Sequence, residues 1–584
     1  MSAAQKKTPE YFRDMLEALK AGKKPEAAQT PAPAPKTAEV IQIQPDAQGA
    51  PITAAAQLAE VKQAADKDRP DAAARQAEAM RTIGDMLDPF EDLHGGFYVL
   101  LRVGDRLEAV PLNSQLVEDR IRNIALEQTG RMIGKDAIET VRSMCRTVAR
   151  SSPKRPVFLR VGKDGDDCLI DLGDETGQIV RATASGWTAE KNEHFAFKRP
   201  AGFGRLPTPT RFDSAPAAWA ALAPLRENIP DMDHTPLVAA LVEYYRCDTP
   251  YPAPVFIGAE GSGKTTVAQG FIWASDPPEG NQTPSTRFDV KDIIAASQSR
   301  HVILHDNVQP PAPSGVEDVL CLRSTGGAIS QRALYSDATA VTNNIHGGSV
   351  ATAIAPPFRQ ADMNDRCLII HVQKPKRYRS TAETLNDYRE ALPDVLGGAL
   401  FFLCESLKRR GEIAAQRAFK HRLVDWAMTG EAIMQALGHA PGAFVELLDV
   451  KRQRAAEDYI EGDTFARSLV QTLHKWGADA KPADKLPGWR QWATTPGWCA
   501  VELHGRLIVA ATAQAVCQGI SRHCDDWTSR GTTLPTTARA TTGALQRVQG
   551  VLGRAGIEAT LRPINGGKNN AWVFLLPARV GSEK

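Results

Sequence analysis

The stretch 258–265 reads GAEGSGKT, and it constrains the possible folds of this chain more than any other segment. It matches the pattern G-x-x-x-x-G-K-[ST] at every fixed position. Apolar residues 255–257 precede it, and residues 267–274 have the composition of a helix start. Glycines at these positions let backbone N–H groups turn toward one point, where they bind phosphate oxygens in front of a helix N-terminus. The segment therefore predicts a strand, a phosphate-binding loop and a helix, which together form a unit of an α/β fold.

The chemistry of the loop residues assigns them separate tasks. Lys264 is expected to reach the β- and γ-phosphates of ATP, and the hydroxyl of Thr265 is expected to ligate Mg²⁺. The residues predicted to bind the nucleotide are Gly258, Ala259, Glu260, Gly261, Ser262, Gly263, Lys264, Thr265 and Thr266. A glycine-rich turn that matches the pattern by chance is the alternative. The strand before the loop and the helix after it favour binding, and ATP and Mg²⁺ are then the predicted cofactors.

A second predicted part of the site lies about forty residues further on, in HVILHDNV (301–308). This is an apolar run that ends in Asp306, whose carboxylate would hold the Mg²⁺ through water at the end of a neighbouring strand. Asn307 follows, at a position where many ATPases of this kind keep a catalytic Glu. An amide orients a water molecule but does not take its proton. Hydrolysis is therefore expected to be slow, or to use a base from elsewhere.

Length and charge exclude some classes of protein. A chain of 584 residues exceeds one core and predicts several domains. The 70 basic and 68 acidic side chains give a formal charge of +2, so any nucleic-acid surface must be local. The nine cysteines are scattered without a C-x-x-C pair, which indicates reduced thiols in a cytoplasmic protein. No run approaches the roughly eighteen apolar residues of a membrane span, so no membrane partner is expected.

Several further stretches resemble a known family in both order and spacing. They are 158–187, 195–210, WASDPP (273–278), VEDVLCLRSTGGAISQRALYSDA (316–338) and FRQADMNDRCLIIHV (358–372). With the loop and ILHDNV, they are similar to helicase-type ATPases of phages, plasmids and integrated elements, which are related to the superfamily 3 and AAA+ ATPases. The resemblance implies a role in replication of such an element, on single-stranded or forked DNA. It also implies a homo-oligomeric ring, such as a hexamer, that works beside a primase or another replication partner.

The predicted fold class is α/β, with a P-loop AAA+-like ATPase core. The chain is divided into a disordered Ala- and Pro-rich tether with a short N-terminal helix (1–85), an N-terminal α+β domain (86–205), the ATPase domain (213–380), a helical region (381–460) and a winged-helix-like domain (461–584). Strands are predicted at 97–103, 106–112, 157–161, 168–172 and 179–187. In the tail, 540–577 reads as a helix, a strand, a Gly-Gly turn and a strand, which is the order that a winged helix needs.

The resemblance also implies that an arginine completes the site of a neighbouring subunit. Such an arginine neutralises the charge that develops on the transferred phosphoryl group. Arg366, just before the apolar strand of DMNDRCLIIHV, is the first candidate, and the alternative is a surface arginine that pairs with Asp362 or Asp365. Arg332 is the second candidate, and it could instead contact DNA or a neighbouring subunit.

One position departs from the family pattern. Family members usually place an Asn at the end of an apolar strand before the arginine element, where it senses the γ-phosphate. This chain has SVATAIAPPF (349–358), with Ala353 near that place and Thr352 beside it. A hydroxyl orients water, whereas a methyl group does not. Hydrolysis is still favoured over nucleotide binding alone.

Basic residues that would contact DNA are harder to assign. The candidates are Lys374, Lys376, Arg377 and Arg379, then Lys408, Arg409 and Arg410, and in the tail Arg547, Arg554, Arg562 and Lys568. Each group is an ordinary solvated charged face in the alternative interpretation. The polar segment 336–349 is the candidate for a loop that grips DNA in the pore of a ring.

These observations favour an ATP-dependent, ring-forming DNA helicase or translocase that acts in replication of a phage, plasmid or integrated element. The first alternative is an ATP-regulated ring that binds DNA or recruits an effector, with weak hydrolysis, because Asn307 and Ala353 depart from the pattern. The second is a primase-helicase, since KDGDDCLIDLGDE (163–175) is rich in carboxylates. That segment also has the composition of a hairpin turn.

Overall fold

The computed structural model of the protein describes residues 82, 84, 86–130, 132–280, 282–332, 340–416, 419, 421–482, 497–503, 506–523, 534–564 and 569–576. The predicted tether lies outside these residues except for Thr82 and Gly84, and Lys568 also lies outside them. In the part of the chain that is described, no helix combines the length and the apolar character needed to cross a bilayer.

The first described part is an antiparallel sheet covered by two helices. Its elements are β1 (Asp88–Glu91), β2 (Phe97–Val103), β3 (Arg106–Pro111), α1 (Gln115–Thr129) and α2 (Lys135–Ser151). Inward residues of β2 and β3 form one core with the apolar sides of both helices. Ser114 caps α1, because its hydroxyl accepts a hydrogen bond from the backbone N–H of Val117. The strands predicted for 97–103 and 106–112 are therefore present.

A second antiparallel sheet follows in chain order. It consists of β4 (Val161–Asp164), β5 (Asp167–Asp171), β6 (Gln178–Thr183) and β7 (Gly186–Lys191). The single strand predicted for 179–187 is wrong, because the chain turns back at 184–185 and forms the hairpin of β6 and β7. The hydroxyl of Thr183 closes that turn, since it donates to the carbonyl of Gly186 and accepts from the backbone N–H of Ser185.

The third sheet is entirely parallel. The elements around it are α3 (Ala215–Ala221), α4 (Ala223–Arg226), α5 (Asp231–Glu243), β8 (Ala253–Ile257), α6 (Lys264–Ser275), α7 (Val290–Ser297), β9 (Val302–Val308), α8 (Val316–Thr325), β10 (Gly327–Arg332), β11 (Ala340–Ile345), β12 (Gly348–Ala353), α9 (Ala361–Asn364) and β13 (Cys367–His371). The strand order is β13-β8-β12-β9. Strands β10 and β11 form a separate antiparallel hairpin. Because parallel strands point the same way, the carboxyl ends of β8, β12 and β9 meet at one edge of the sheet.

Both faces of the parallel sheet are buried, which explains why its strands read as continuous apolar runs. Successive residues point to opposite faces: Phe256 packs with α6, whereas Val255 packs with α7 and α8. In β9, Leu304 likewise packs on the face covered by α6, and Ile303 packs on the face covered by α7 and α8. The helix-covered sheet holds its strand ends in fixed relative positions, and those ends carry the residues discussed below.

Three helices follow β13 and share the core on the α6 side of the sheet. They are α10 (Thr381–Gln416), α11 (Val424–Ala436) and α12 (Ala443–Gly462). Helix α10 packs against α3, α6 and α11, and it also contacts the β6–β7 hairpin. Residues of β5 and β6, such as Ile170 and Val180, therefore belong to the same core as Phe256. The bounds of the predicted domains remain predictions.

The tail has its own core. Its elements are α13 (Thr464–Ala478), β14 (Lys481–Pro482), β15 (Trp498–Leu503), β16 (Arg506–Ala511), α14 (Ala513–His523), α15 (Ala538–Arg554), β17 (Glu558–Ile564) and β18 (Asn569–Leu576). The sheet order is β14-β15-β16-β18-β17, and helices α13, α14 and α15 contribute to the core. The predicted helix and the two predicted strands of 540–577 correspond to α15, β17 and β18, and the predicted Gly-Gly turn lies outside the described residues. The winged-helix assignment itself remains a prediction.

A buried ion pair joins the second sheet to the parallel sheet. The Nε of Arg160 lies 2.9 Å from Oδ1 of Asp276, and the two side chains are 0% and 2% exposed. The other carboxylate oxygen of Asp276 accepts from the backbone N–H groups of His301 and Val302. Arg160 also donates to the carbonyls of Asp171 and Gly204. The pair therefore ties the end of α6 to the start of β9.

Replacing Asp276 by alanine is expected to lower the free energy of unfolding of this part of the chain by about 3–5 kcal/mol, because it leaves the buried Arg160 guanidinium without its anion. Thermal unfolding followed by circular dichroism measures the effect. Asp449→Ala is the matched control, since Asp449 pairs with Arg452 at the surface with its side chain 66% exposed, and its Tm should not change. Equal Tm values for the two variants would contradict a stabilising role for the buried pair.

Candidate functional site

The loop 258–263 connects β8 to α6 and leaves space where side chains would collide. A Cβ atom at Gly258 would lie 2.4 Å from the carbonyl oxygen of Val372 and 2.7 Å from Oγ of Ser262. Gly263 has a φ of 85°, in the left-handed region, and it is the N-cap of α6. Both glycines are therefore required by the backbone path that brings the loop around the N-terminus of α6.

Lys264 is the first residue of α6 and turns back over the loop. Its Nζ donates to the carbonyl oxygens of Gly258 and Ala259 at 2.8 and 2.9 Å. The Oγ of Ser262 is buried and has no hydrogen-bond partner among the described residues. The loop thus holds an ammonium group and a buried hydroxyl around the start of a helix, where backbone N–H groups lack intrahelical acceptors.

Three side chains from three elements meet at the carboxyl edge of the sheet. Oδ1 of Asp306, on β9, accepts hydrogen bonds from Oγ1 of Thr265 at 2.9 Å and from Oγ1 of Thr352 at 2.6 Å. Thr265 is in the first turn of α6, and Thr352 is on β12. Of the predicted residues, the structure therefore brings Thr265 and Asp306 into contact, while the Lys264 ammonium group lies on the loop carbonyls.

Asp306 and Asn307 occupy an irregularity in β9. Ala351 pairs with His305 and Ala353 pairs with Val308, so Asp306 and Asn307 together stand opposite the single residue Thr352. Asn307 has a φ of 55°, and its backbone N–H donates to Oγ1 of Thr352 at 2.7 Å. The side chain of Asn307 is exposed. Thr352 therefore holds both the Asp306 carboxylate and the Asn307 backbone.

Thr352 is the residue of this cluster that was not among the predicted site residues. Its side chain is 1% exposed and faces Asp306, whereas the neighbouring Ala353 is 0% exposed and packs in the core with Ile257. The signal in the sequence is a hydroxyl residue one position from the end of an apolar strand. The β9 irregularity decides which of the two residues faces the site, and sequence periodicity does not show it.

The histidine next to Asp306 is neutral at physiological pH. Burial lowers the pKa of His305 to about 4, while its ring Nδ1 lies 3.0 Å from the carbonyl oxygen of Thr286. Its Nε2 is buried and has no partner among the described residues. The ring packs against Phe288 inside the core and not toward the loop. His305 therefore contributes no positive charge to this edge of the sheet.

Arg366 lies at the opposite edge of the same sheet, where the parallel strands begin. It precedes β13, whose residues Cys367 and His371 pair with Ala253 and Ile257 of β8. Its Nη1 lies 2.7 Å from Oδ1 of Asp362, and its side chain is 7% exposed. Four residue steps along β8, at about 3.3 Å each, separate the two edges by roughly 13 Å. Arg366 therefore does not join the cluster of its own chain, and its role in a neighbouring site stays a prediction.

Arg332 is the last residue of β10 and pairs with Ala340 at the end of the β10–β11 hairpin nearest the segment 333–339. Arg332 therefore lies in a different sheet from Asp306 and Thr352, which are on β9 and β12 of the parallel sheet. Part of the predicted pore segment forms β11 and the start of β12. His346 in that segment packs against Tyr251, with 4.8 Å between ring centres and the rings tilted by 36°.

Many of the basic residues considered for DNA binding have acidic partners within the chain. The described pairs are Arg379 with Glu227 and Asp387, Lys408 and Arg409 with Glu405, Arg410 with Asp425, Arg547 with Asp463, and Arg554 with Asp365. Lys374, Lys376 and Arg377 are exposed. The exposed run after β13 therefore remains the more accessible basic surface of those considered.

Three of the carboxylates of 163–175 are held by arginines. Arg181 donates to Asp164 and Asp167 at 2.9 and 3.0 Å, and Arg199 pairs with Asp171. In the described residues, no group of three or more His, Cys, Asp or Glu side chains is arranged to hold a metal ion. This segment is the β4–β5 hairpin and the turn that follows it.

A cavity of about 480 Å³ lies beside α6. Its lining residues are Ala223, Pro224, Arg226, Glu227, His234, Arg379, Thr384, Asp387 and Tyr388. The ring of Tyr388 packs directly on Gly270 of α6, where a Cβ atom would lie 2.8 Å from it. Asn228, next to Glu227, accepts from the backbone N–H of Gln373, whose preceding residue touches Gly258. The cavity is thereby linked to the loop.

The fold and the cluster define a mixed α/β protein with a parallel sheet, whose strand ends present a glycine-rich loop, a lysine and an aspartate. Residues 228–440 match the family of actinomycete integrative conjugative element replication proteins. The matched range spans a little over a third of the chain and includes the loop, Asp306, Arg332 and Arg366. It confirms the predicted resemblance to a replication protein of a mobile element. No curated protein sequence matches this chain.

Three solved structures are among those to which this chain is similar. The SCCmec type IV protein Cch, described as an active helicase, is 12% identical, with 84% of this chain and 92% of that chain covered and a TM-score of 0.40. The C-terminal region of NrS-1 is 11% identical, with 83% and 96% covered and a TM-score of 0.38. The JCV helicase is 16% identical, with 40% and 62% covered and a TM-score of 0.20.

Proposed function

We propose that this protein is an ATP-dependent DNA helicase or translocase that acts as a ring, such as a hexamer, in replication of an integrated element in the host cytoplasm. The observation that carries the proposal is the contact of Thr265 with Asp306 at the carboxyl edge of a parallel sheet, next to a glycine-rich loop over which Lys264 turns back. Ligands of open α/β sheets bind at this edge. The match to element replication proteins over residues 228–440 supports DNA as the substrate.

The loop fits the phosphates of ATP. Gly258 leaves no room for a side chain beside the carbonyl of Val372, so only glycine lets the loop backbone pass there. The ammonium group of Lys264, now bound to two loop carbonyls, would exchange them for phosphate oxygens, which are charged acceptors and bind more strongly. The buried hydroxyl of Ser262 offers one further donor.

The oxygen atoms of Thr265 and Asp306 fit Mg²⁺. They are the hard ligands that this ion prefers, and one or two carboxylates with substrate phosphates suffice in phosphate-transfer sites. When bound, Mg²⁺ would neutralise negative charge on the phosphate oxygens. The hydroxyl of Thr265 already lies 2.9 Å from the Asp306 carboxylate, so both oxygens face the same space.

The nucleoside half of ATP is proposed to occupy the cavity beside α6. Its volume of about 480 Å³ accommodates a base and a sugar. The aromatic ring of Tyr388, a residue of α10 that packs on Gly270 of α6, supports this placement. The backbone hydrogen bond between Gln373 and Asn228 also supports it, because it connects the cavity wall with the segment that packs on the loop. Arg379 is held there between Glu227 and Asp387, which keeps the wall of the cavity ordered.

Thr352 is proposed to position the groups that act on the attacking water. Its hydroxyl donates a hydrogen bond to the Asp306 carboxylate and accepts one from the backbone N–H of Asn307, so both residues are held in place. Asn307 then presents an exposed amide at the strand end, which orients water without taking its proton. This amide also supports the second candidate function, an ATP-regulated ring with weak hydrolysis that binds DNA or recruits an effector.

Thr352→Val is expected to lower the turnover of ATP about 10- to 100-fold with little change in KM, because it keeps the shape but leaves the Asn307 N–H without its acceptor, at a cost of about 1–3 kcal/mol. Thr352→Ser retains the hydroxyl and should remain close to wild type. Steady-state phosphate release measures both variants. Wild-type turnover in Thr352→Val would show that the Thr352 hydroxyl does not contribute to ATP hydrolysis.

ATP turnover with and without single-stranded DNA separates the two candidate functions. DNA-stimulated turnover together with strand displacement on a forked substrate supports the motor. Tight ATP binding without turnover, accompanied by ATP-dependent assembly, supports the regulated ring. Absence of any ATP binding by the folded wild-type protein would overturn both. Priming is not proposed, because arginines hold three of the carboxylates of 163–175.

A further inference from the structure

Two arginines share one carboxylate at the edge of the sheet away from the loop. Oδ1 of Asp362, on the short helix α9, lies 2.7 Å from Nη1 of Arg366 and 2.5 Å from Nη1 of Arg422. Arg366 belongs to the same segment as Asp362, whereas Arg422 comes from the chain just before α11. The sequence alone gives no sign of this second guanidinium, because it lies 56 positions after Arg366.

The two arginines differ in exposure. The Arg366 side chain is 7% exposed, and its Nε is buried without a hydrogen-bond partner among the described residues. The Arg422 side chain is 48% exposed. A group that contacts a phosphate on another subunit must reach the surface. Arg422 meets that requirement, whereas Arg366 is held beneath it.

Asp362 is the one carboxylate that both arginines contact. Its single negative charge is shared by two guanidinium groups, so neither has a carboxylate of its own among the described ion pairs. The nearby Asp365 does not compensate, because it is 2.8 Å from Arg554. Glu317 accepts from the backbone N–H groups of Arg359 and Gln360 and thus supports the segment before α9. An exposed guanidinium that shares its carboxylate in this way attracts an anion with several oxygens.

We infer that Arg422 is the arginine that contacts the terminal phosphate of ATP bound to a neighbouring copy, and that Arg366 is a positioning residue that orients Asp362 and through it Arg422. This inference rests on the proposed ring ATPase. Arg422 reaches Asp362 in the segment that carries Arg366, at the end of the sheet where the strands begin, and the length of β8, roughly 13 Å, separates that end from the end that carries the loop. Only a second copy can therefore bring its loop to Arg422.

Arg422→Ala is expected to reduce turnover about 10³-fold, since an arginine that neutralises the transferred phosphoryl group contributes about 10³–10⁵. Affinity for ATP should change less than about threefold, because the ground-state contacts come from the partner's own loop. Trapping of labelled ADP with aluminium fluoride, which mimics the transferred group, should be lost. The Tm should match that of Arg452→Ala, a surface control whose described ion pair is with Asp449.

Mixing distinguishes action on a neighbour from damage to the chain itself. Arg422→Ala and Lys264→Ala proteins should each be inactive, and their mixture should regain part of the turnover, because some boundaries join an intact loop to an intact arginine. Arg366→Ala should lower the Tm as well as turnover, and Arg422→Lys should recover more turnover than Arg422→Ala.

Three results overturn the inference. They are wild-type turnover in Arg422→Ala, absence of recovery in mixed assemblies whose composition is verified by mass, and an Arg366→Ala protein that loses turnover with unchanged Tm. The last result would make Arg366 the contacting group. A wild-type protein that binds no ATP would instead overturn the proposed function, so the two failures are distinguishable.

Discussion

Lys264→Ala is expected to abolish measurable turnover, with a loss of about 10²–10³ or more, and to weaken ATP binding. Removing a preorganised positive donor from a phosphate site costs about this much. The fold should persist, because Lys264 is the first residue of α6 and alanine suits a helix. A fluorescent ATP analogue measures binding, phosphate release measures turnover, and circular dichroism measures the Tm.

Lys291→Ala is the matched control for Lys264→Ala. Lys291 is exposed and also lies at the start of a helix, α7, so it tests for a general effect of removing a lysine there. It should behave as wild type. Unchanged affinity and turnover in Lys264→Ala would mean that the loop 258–265 is a structural turn, and the proposed function would fail with it.

Asp306→Ala is expected to lower Mg²⁺-dependent turnover about 10²-fold or more while leaving ATP affinity within a few fold. The loop amides and Lys264 still hold the phosphates, whereas the carboxylate acts through the metal. The variant also removes the acceptor shared by Thr265 and Thr352. Turnover measured across a range of Mg²⁺ concentrations should show a raised half-saturating concentration.

Asp318→Ala controls for the loss of an acidic side chain, since Asp318 is exposed in the first turn of α8. It should retain wild-type turnover and Mg²⁺ dependence. If Asp306→Ala retained them as well, β9 would not be the metal-binding strand. A uniform loss of ATP affinity and Tm would instead show that Asp306 is mainly structural.

The loop and its aspartate were predictable because their signals are contiguous. A run of five buried residues, a glycine-rich turn and a helix start occupy adjacent positions, so β8, the loop and α6 follow from one short stretch. Asp306 follows from a buried strand with a polar end. Parallel strands then bring the two together without further information, because their carboxyl ends share an edge.

The remaining site residues depend on alignments between distant segments. Thr352 faces Asp306 only because β9 carries one extra residue opposite it, and apolar periodicity does not reveal such an irregularity. The burial of Arg366 depends on packing at Asp362, and Arg422 reaches the same carboxylate from a segment beyond α10. The hairpin at 184–185 was missed for a different reason, since the hydroxyl of Thr183 closes a turn without a glycine or proline between the strands.

The loop and α9 lie at opposite edges of one sheet, and this separation limits how many complete sites a row of subunits can form. Each copy would offer a phosphate loop to one neighbour and an arginine to the other, so the contact is head-to-tail and does not pair identical surfaces. In an open row, the copy at one end has a loop with no arginine beside it, and complete sites are one fewer than subunits. Only when the last copy meets the first does every loop gain its partner. Whether every subunit has a complete site would then depend on whether the row closes into a ring, more than on the number of subunits in it.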